Sequence, residues 1–119
     1  ENMTYMDDRV MKAAKKFLVD RYGFEIKDVI KKNEFVNIVA LDEDDSFHAI
    51  RVTYNFTGLE KNDPEVFRSV AEQEYLNWMI TRYKEGCDFV SNQVIFDCLD
   101  MVVFNDNQAF LRFHSDVLC

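Results

Sequence analysis

The segment Phe35–Leu41 constrains the fold of this chain more than any other. Its sequence, Phe-Val-Asn-Ile-Val-Ala-Leu, is almost continuously apolar and rich in β-branched residues. That pattern is typical of a β-strand that is buried on both faces of its sheet. Such a strand needs a covering layer above and below it, so the chain must build a layered structure around this segment.

The segments that follow predict more of the sheet. Residues 42–45, Asp-Glu-Asp-Asp, are too polar to continue the strand and indicate a turn. Residues 47–56 then alternate, with Ile50 and Val52 on one side of a second strand. The two strands are expected to form a hairpin. Further strands are predicted at 24–26, 94–98, 101–104 and 109–113, with a turn at 105–107 before the last of them.

Two helices complete the predicted order of elements. Residues 9–22 carry apolar side chains at three- and four-residue spacing and are followed by Gly23, which favours a helix end. Asp63 and Pro64 indicate a second helix start, and that helix is predicted to continue to about residue 84. The order predicts an α+β fold, a mixed central β-sheet flanked by a helix on each side. At 119 residues we expect a single domain, 1–119.

The composition limits location and cofactor chemistry. No apolar run approaches the roughly 20 residues that a membrane-spanning helix needs, and the first residues show no export signal. The three cysteines, Cys87, Cys98 and Cys119, form neither a disulfide framework nor a zinc pattern. Three glycines leave no glycine-rich phosphate loop. We therefore expect a cytoplasmic protein with no membrane contact and no cofactor.

The charge of the chain is unevenly distributed. The net charge is −8, yet residues 9–32 carry eight basic against three acidic residues and so contribute +5. The remainder carries −13. A nucleic-acid-binding face is one interpretation of the basic segment, and an ordinary solvated helix face is the other. The candidate face consists of Arg9, Lys12, Lys15, Lys16, Lys31 and Lys32.

Several short strings, spread over most of the chain, carry a resemblance to a known family. They are the Ala14, Leu18, Gly23 and Phe24 pattern, Glu34–Ala40, Ala49–Thr53, Ile95–Asp97 and Asn107–Phe110. In order and spacing they resemble the YraN family, small bacterial proteins with a restriction-endonuclease-like fold. The resemblance implies that fold for this chain.

The resemblance also implies where a nuclease site would lie. Nucleases of this fold place an Asp on one strand and a Glu-x-Lys on the next, and the carboxylates hold Mg²⁺. The corresponding residues in this chain are Asn37, Arg51 and Thr53. An amide, a guanidinium and a hydroxyl do not form a Mg²⁺ site, so the active site is degenerate. We therefore expect no catalytic residues and no metal here.

The altered trio allows two interpretations. If the register of the hairpin holds, Asn37, Arg51 and Thr53 share one face of adjacent strands. An arginine with amide and hydroxyl neighbours suits a phosphate, sulfate or carboxylate, which would make an anion pocket. Alternatively, Arg51 pairs with an acidic residue at the sheet edge.

Other polar residues give weaker signals. His48 and His114 have no partner at metal-ligand spacing and are expected at the surface or on an edge strand. Asp97 and Asp100 lie near the end of a predicted strand and could join a site in space.

These observations support three functional hypotheses. The first is a catalytically inactive nuclease-fold domain that binds nucleic acid through the basic segment or a protein through the acidic remainder. The second is an altered metal-dependent nuclease whose acids come from Asp97, Asp100 or Glu34. The third is an acidic protein-interaction or inhibitor module. A homodimer formed through the strand that contains Phe110, Leu111 and Phe113 is a further hypothesis.

Overall fold

A computed structural model describes residues 8–32, 35–56, 70–84, 94–105 and 108–115. Its elements in chain order are α1 (Asp8–Tyr22), β1 (Glu25–Lys32), β2 (Phe35–Leu41), β3 (Phe47–Phe56), α2 (Val70–Lys84), β4 (Val94–Asn105) and β5 (Gln108–His114). The described strands form one sheet in the order β1-β2-β3-β4-β5. Only β3 and β4 are parallel among the described neighbours. The mixed sheet and the two helices confirm the predicted α+β class.

The connections explain the strand directions. β2 and β3 are joined by the short acidic turn and pair antiparallel, as do β4 and β5. The helix α2 lies between β3 and β4 in the chain, and parallel neighbours require a crossover connection of this kind. Both predicted hairpins are therefore confirmed.

Each face of the sheet carries its own apolar core. We call the two sides the α1 face and the α2 face, after the helix that contributes to each core. The α1-face core combines Val10, Ala14 and Leu18 of α1 with Ile38, Ala40, Ile50, Val52, Leu99 and Met101 of the sheet. The α2-face core combines Leu76 and Ile80 of α2 with Ile30, Val39, Leu41, Phe47, Ala49 and Phe96. β2 contributes alternate residues to both cores, which confirms that this strand is buried on both faces.

Two strands are longer than the sequence pattern predicts. β1 extends to Lys32, because Val29 packs against the α1-face core and the next residue, Ile30, belongs to the α2-face core. The lysines between and after the apolar residues hide this alternation in the sequence. β4 is one continuous strand of 12 residues rather than two short ones. Leu99 and Asp100 continue it, since one is fully buried and the other hydrogen-bonds to β3. The predicted second helix start at Asp63 lies outside the described residues.

Gly23 ends α1 in a conformation that other residues adopt with difficulty. Its φ is +72°, and its N–H donates to the carbonyl of Val19 at 3.0 Å. The next N–H, from Phe24, donates to Leu18 at 3.3 Å, which completes a left-handed helix cap. A Cβ at this position would also overlap the carboxylate of Glu43, whose Cδ would lie at 2.9 Å. The turn between β2 and β3 is therefore packed against the end of α1.

We expect Gly23→Ala to lower the free energy of unfolding by about 1–2 kcal/mol, because alanine disfavours the left-handed conformation. Urea denaturation of the purified protein measures this change. In a Glu43→Ala background the cost should be almost the same, since the Glu43 carboxylate is the end of an exposed side chain that can move aside. A cost that disappears in that background would contradict the backbone origin of the penalty.

Candidate functional site

The trio predicted from the resemblance lies together on the α2 face. Asn37 and Arg51 are direct cross-strand partners in the β2–β3 pair. Thr53 lies two residues beyond Arg51 and so faces the same side of β3. Asn37 and Arg51 are each only 2% exposed, and Thr53 is half-buried. The shared face expected from the hairpin register is therefore present.

Arg51 is neutralised by an acidic residue from α2. Its Nη2 donates a hydrogen bond to Oε2 of Glu72, and the two side chains form an ion pair that is largely buried. A buried guanidinium without such a partner would be strongly unfavourable. Arg51 therefore pairs with an acid, as one interpretation of the sequence proposed, although the acid comes from a helix and not from the sheet edge.

A second polar group lies beside this ion pair. Thr53 Oγ1 donates to Asp100 Oδ1 at 3.1 Å, and Arg112 Nη2 lies 3.4 Å from Asp100 Oδ2. Asp100 is the register partner of both residues, on β3 and on β5 respectively. Asp100 is buried whereas Arg112 is half exposed. The two arginines, Arg51 and Arg112, carry two formal positive charges, and Glu72 and Asp100 carry two negative ones. The formal charges of these four side chains therefore cancel.

The side chains at this position do not fit a Mg²⁺ ion. Magnesium requires several oxygen ligands in near-octahedral geometry. The carboxylates of Glu72 and Asp100 already accept hydrogen bonds from Arg51, Thr53 and Arg112. The guanidinium of Arg51 would also repel a cation. Within the described ranges, no group of three or more His, Cys, Asp and Glu side chains is arranged to hold a metal ion.

The acids named for an altered nuclease do not converge in the described part of the chain. Asp97 is fully buried and hydrogen-bonds to His48 on the α1 face, whereas Asp100 belongs to the α2 face. The sheet therefore separates the two carboxylates. Glu34 lies outside the described residues.

His48 forms a second polar cluster that sequence reasoning missed. It is only 6% exposed and lies on a central strand, so the expectation of a surface or edge-strand histidine was wrong. Its Nδ1 lies 2.5 Å from Asp97 Oδ2, and its Nε2 lies 2.7 Å from Asp42 Oδ2. The ring of Phe24 covers it edge-on, with the ring centroids 4.8 Å apart.

The electrostatics of this cluster favour a charged imidazole. Burial by itself lowers the pKa of His48, but the hydrogen bonds and charges of Asp97 and Asp42 outweigh it and raise the pKa above its ordinary value of 6.5. Burial also disfavours the charged form of Asp42, which for a carboxyl group raises the pKa. Hydrogen bonds from Ser46, His48 and Asp44 outweigh that effect and leave the pKa of Asp42 below its ordinary value.

One sequence signal could have placed His48 in the interior. It has the same parity along β3 as Ile50 and Val52, which the alternation assigned to one side of the strand. The partners themselves gave no signal, because Asp42 and Asp97 are 6 and 49 residues away.

The candidate basic face lies mainly on α1. Arg9, Lys12 and Lys16 are exposed on the side of the helix opposite Val10, Ala14 and Leu18, and Lys15 is half-buried beside the buried side. Lys16 pairs with Asp20 at 2.7 Å across one helical turn. Lys31 is exposed on β1, and the side chain of Lys32 lies outside the described residues.

The strand proposed for self-association exposes one large apolar residue. Phe110 is 55% exposed, whereas Leu111 and Phe113 are partly buried against the α1-face core.

Cys98 is buried as a free thiol, and Cys87 and Cys119 lie outside the described residues. His114 lies on β5, an edge strand of the described sheet, as expected, and is partly buried.

Comparison with known proteins gives no relative for this chain. No protein-family model matches it, and it matches neither a curated protein nor a solved structure. In the described residues, no helix is long and apolar enough to cross a membrane.

We expect Glu72→Leu to lower the free energy of unfolding by roughly 3 kcal/mol, because it removes a carboxylate that pairs with the buried guanidinium of Arg51. Chemical denaturation measures the change. The double variant Arg51→Met with Glu72→Leu should recover much of the loss, since both members of this buried ion pair are then replaced by apolar side chains.

Glu74→Leu is the matched control for this prediction, because Glu74 lies on the same helix but is exposed. Its effect should stay within about 0.5 kcal/mol. Additive losses in the double variant would contradict the coupling between Arg51 and Glu72.

Proposed function

We propose that this chain is a restriction-endonuclease-like domain, related to the YraN family, that has lost nuclease chemistry and acts by binding nucleic acid. The mixed sheet, with a helix contributing to the core on each face, supports the fold part of this proposal. The pairing of Asn37 with Arg51 supports it further, because the resemblance requires these two positions on adjacent strands.

The Arg51–Glu72 ion pair carries the proposal that catalysis is lost. The resemblance expects a carboxylate at the position of Arg51, where it would hold Mg²⁺ beside the scissile phosphate. Here a guanidinium occupies the position, and α2 supplies the negative charge that compensates it. At the position where the resemblance expects a metal ligand, the ion pair instead connects α2 to the sheet.

The outward side of α1 is the proposed binding surface. Affinity for nucleic acid comes largely from Lys and Arg side chains that neutralise phosphates. Arg9, Lys12, Lys15 and Lys16 lie within two turns of one helix, a length of about 10 Å. The acidic remainder of the chain would repel a polyanion elsewhere, which confines binding to this surface. The inward side of the same helix belongs to the α1-face core, so the packing of Val10, Ala14 and Leu18 directs the basic side chains outward.

We expect Lys12→Glu to weaken binding of a labelled DNA or RNA oligonucleotide about tenfold or more at low salt, because one attractive phosphate contact becomes repulsive. Fluorescence anisotropy over a range of salt concentrations measures it, and the salt slope should fall by about one. Lys27→Glu makes the same change in net charge on β1, where Lys27 pairs with Glu25 at 3.0 Å, and should change the affinity much less.

The same protein incubated with DNA and Mg²⁺ or Mn²⁺ tests the loss of catalysis. Denaturing gels should show intact strands. Metal-dependent cleavage would contradict the proposal and restore the altered nuclease. Absence of binding to duplex, single-stranded and branched substrates would contradict the nucleic-acid part. The partner would then be a protein that recognises the acidic surface, to be sought by pull-down.

A further inference from the structure

The Asp42–His48–Asp97 cluster links two parts of the chain that the sheet does not connect directly. Asp42 begins the turn after β2, His48 lies on β3, and Asp97 lies on β4. Both ring nitrogens of His48 lie within hydrogen-bonding distance of a carboxylate oxygen, at 2.5 and 2.7 Å. An ionised carboxylate only accepts hydrogen bonds, and a protonated imidazole can donate one from each ring nitrogen. The distances fit an imidazolium held between two carboxylates.

The two carboxylates are held differently. Asp97 is fully buried, whereas the side chain of Asp42 is 22% exposed. The second oxygen of Asp42, Oδ1, accepts the backbone N–H groups of Asp44 at 2.8 Å and Ser46 at 2.9 Å. The orientation of one carboxylate thus connects the imidazole to the backbone of the turn.

The other described residues known to lie next to the ring are uncharged. The residues paired with His48 across the sheet are Ala40 on β2 and Ile95 on β4. The segment after α1 contributes the ring of Phe24. The neighbouring acid Glu43 lies against Gly23. Among the described residues, Asp42 and Asp97 are the titratable groups that hydrogen-bond to the imidazole.

We propose that this cluster is a proton-operated latch that fastens the β2–β3 turn to β4. In the closed state, the imidazolium donates to both carboxylates. When the ring loses one proton to solvent, a single N–H remains for two acceptors. The fully buried Asp97 has no access to water and keeps that N–H, at Nδ1 of His48. The bond to Asp42 is lost because that carboxylate can be hydrated at the surface, and the turn is released.

The direction of the pH effect follows from the charged ring. The folded-state pKa of His48 is raised above 6.5, so the stabilisation is complete below about pH 6.5 and is lost as the pH rises through the folded-state pKa. The folded-state pKa of Asp42 is lowered, so its contribution is present above about pH 4 and is lost at more acidic pH. The latch is closed between these limits and opens towards alkaline pH. This behaviour does not depend on the proposed binding function.

Nitrogen-detected NMR of the histidine ring provides the direct test. At pH 6 both ring nitrogens of His48 should be protonated, and titration to alkaline pH should remove the proton from Nε2 and leave the one on Nδ1. The amides of Asp44 and Ser46 should lose protection from hydrogen exchange over the same pH range, relative to their intrinsic rates. The amide of Ile38, in the sheet, should not. A neutral ring at pH 6, or protection of both turn amides that does not change with pH, would overturn the proposal.

Asp42→Asn separates the latch from a general effect of charge. Because Asp42 lies in a partly exposed turn, this conservative change should leave the fold intact. It should move the midpoint of the His48 titration to lower pH, since one of the two stabilising carboxylates is removed. Asp44→Asn removes the same charge from the same turn without touching the ring, and it should leave the midpoint almost unchanged. Equal shifts in the two variants would overturn the proposal.

Discussion

The burial of β2 and β3 on both faces is the constraint on which the other features depend. Polar side chains on a strand with a core above and below it have no contact with solvent. Each of them therefore needs a hydrogen-bond partner inside the protein. Asn37, His48 and Arg51 are the buried polar residues among the described side chains of these two strands. The partners known for His48 and Arg51 come from outside the two strands, from the turn, from α2 and from β4. Satisfying these polar groups therefore also fixes the elements around the central hairpin.

The pleat of the sheet places these interactions on two opposite faces, so the two clusters do not contact each other. Side chains two apart on a strand share a face, and neighbours lie on opposite faces. Arg51, Thr53 and Asp100 therefore meet on the α2 face, while His48 and Asp97 meet on the α1 face. Asp97 and Asp100 are only three residues apart, yet they serve different clusters. Proximity in sequence is consequently a poor guide to which acidic residues of this sheet can act together.

The sequence predicted the features that depend on local pattern. The apolar run 35–41, the acidic turn and the alternation of 47–56 were enough to place Asn37 and Arg51 on one face of adjacent strands. That they are direct cross-strand partners is a finding of the structure. Features that depend on distant residues could not be predicted in this way. Glu72 reaches Arg51 from a helix 21 residues away, and nothing in the local sequence of either residue indicates the pair. β1 was underestimated for a related reason, because Val29 and Ile30 stand among lysines and only the two cores reveal why they continue the strand.

The buried pairing of Arg51 with Glu72 also explains why the proposed binding surface is on the helix α1 and not on the sheet. An anion that approached the α2 face would have to compete with Glu72 for Arg51, and separating that buried pair would leave a carboxylate in a largely dry environment. The exposed lysines of α1 carry no comparable cost. Lys12 is solvated, and Lys16 exchanges a surface contact with Asp20 that contributes little. Because the guanidinium of Arg51 is neutralised by Glu72, the exposed Arg9, Lys12 and Lys16 of α1 supply positive charge that is more readily available to a ligand.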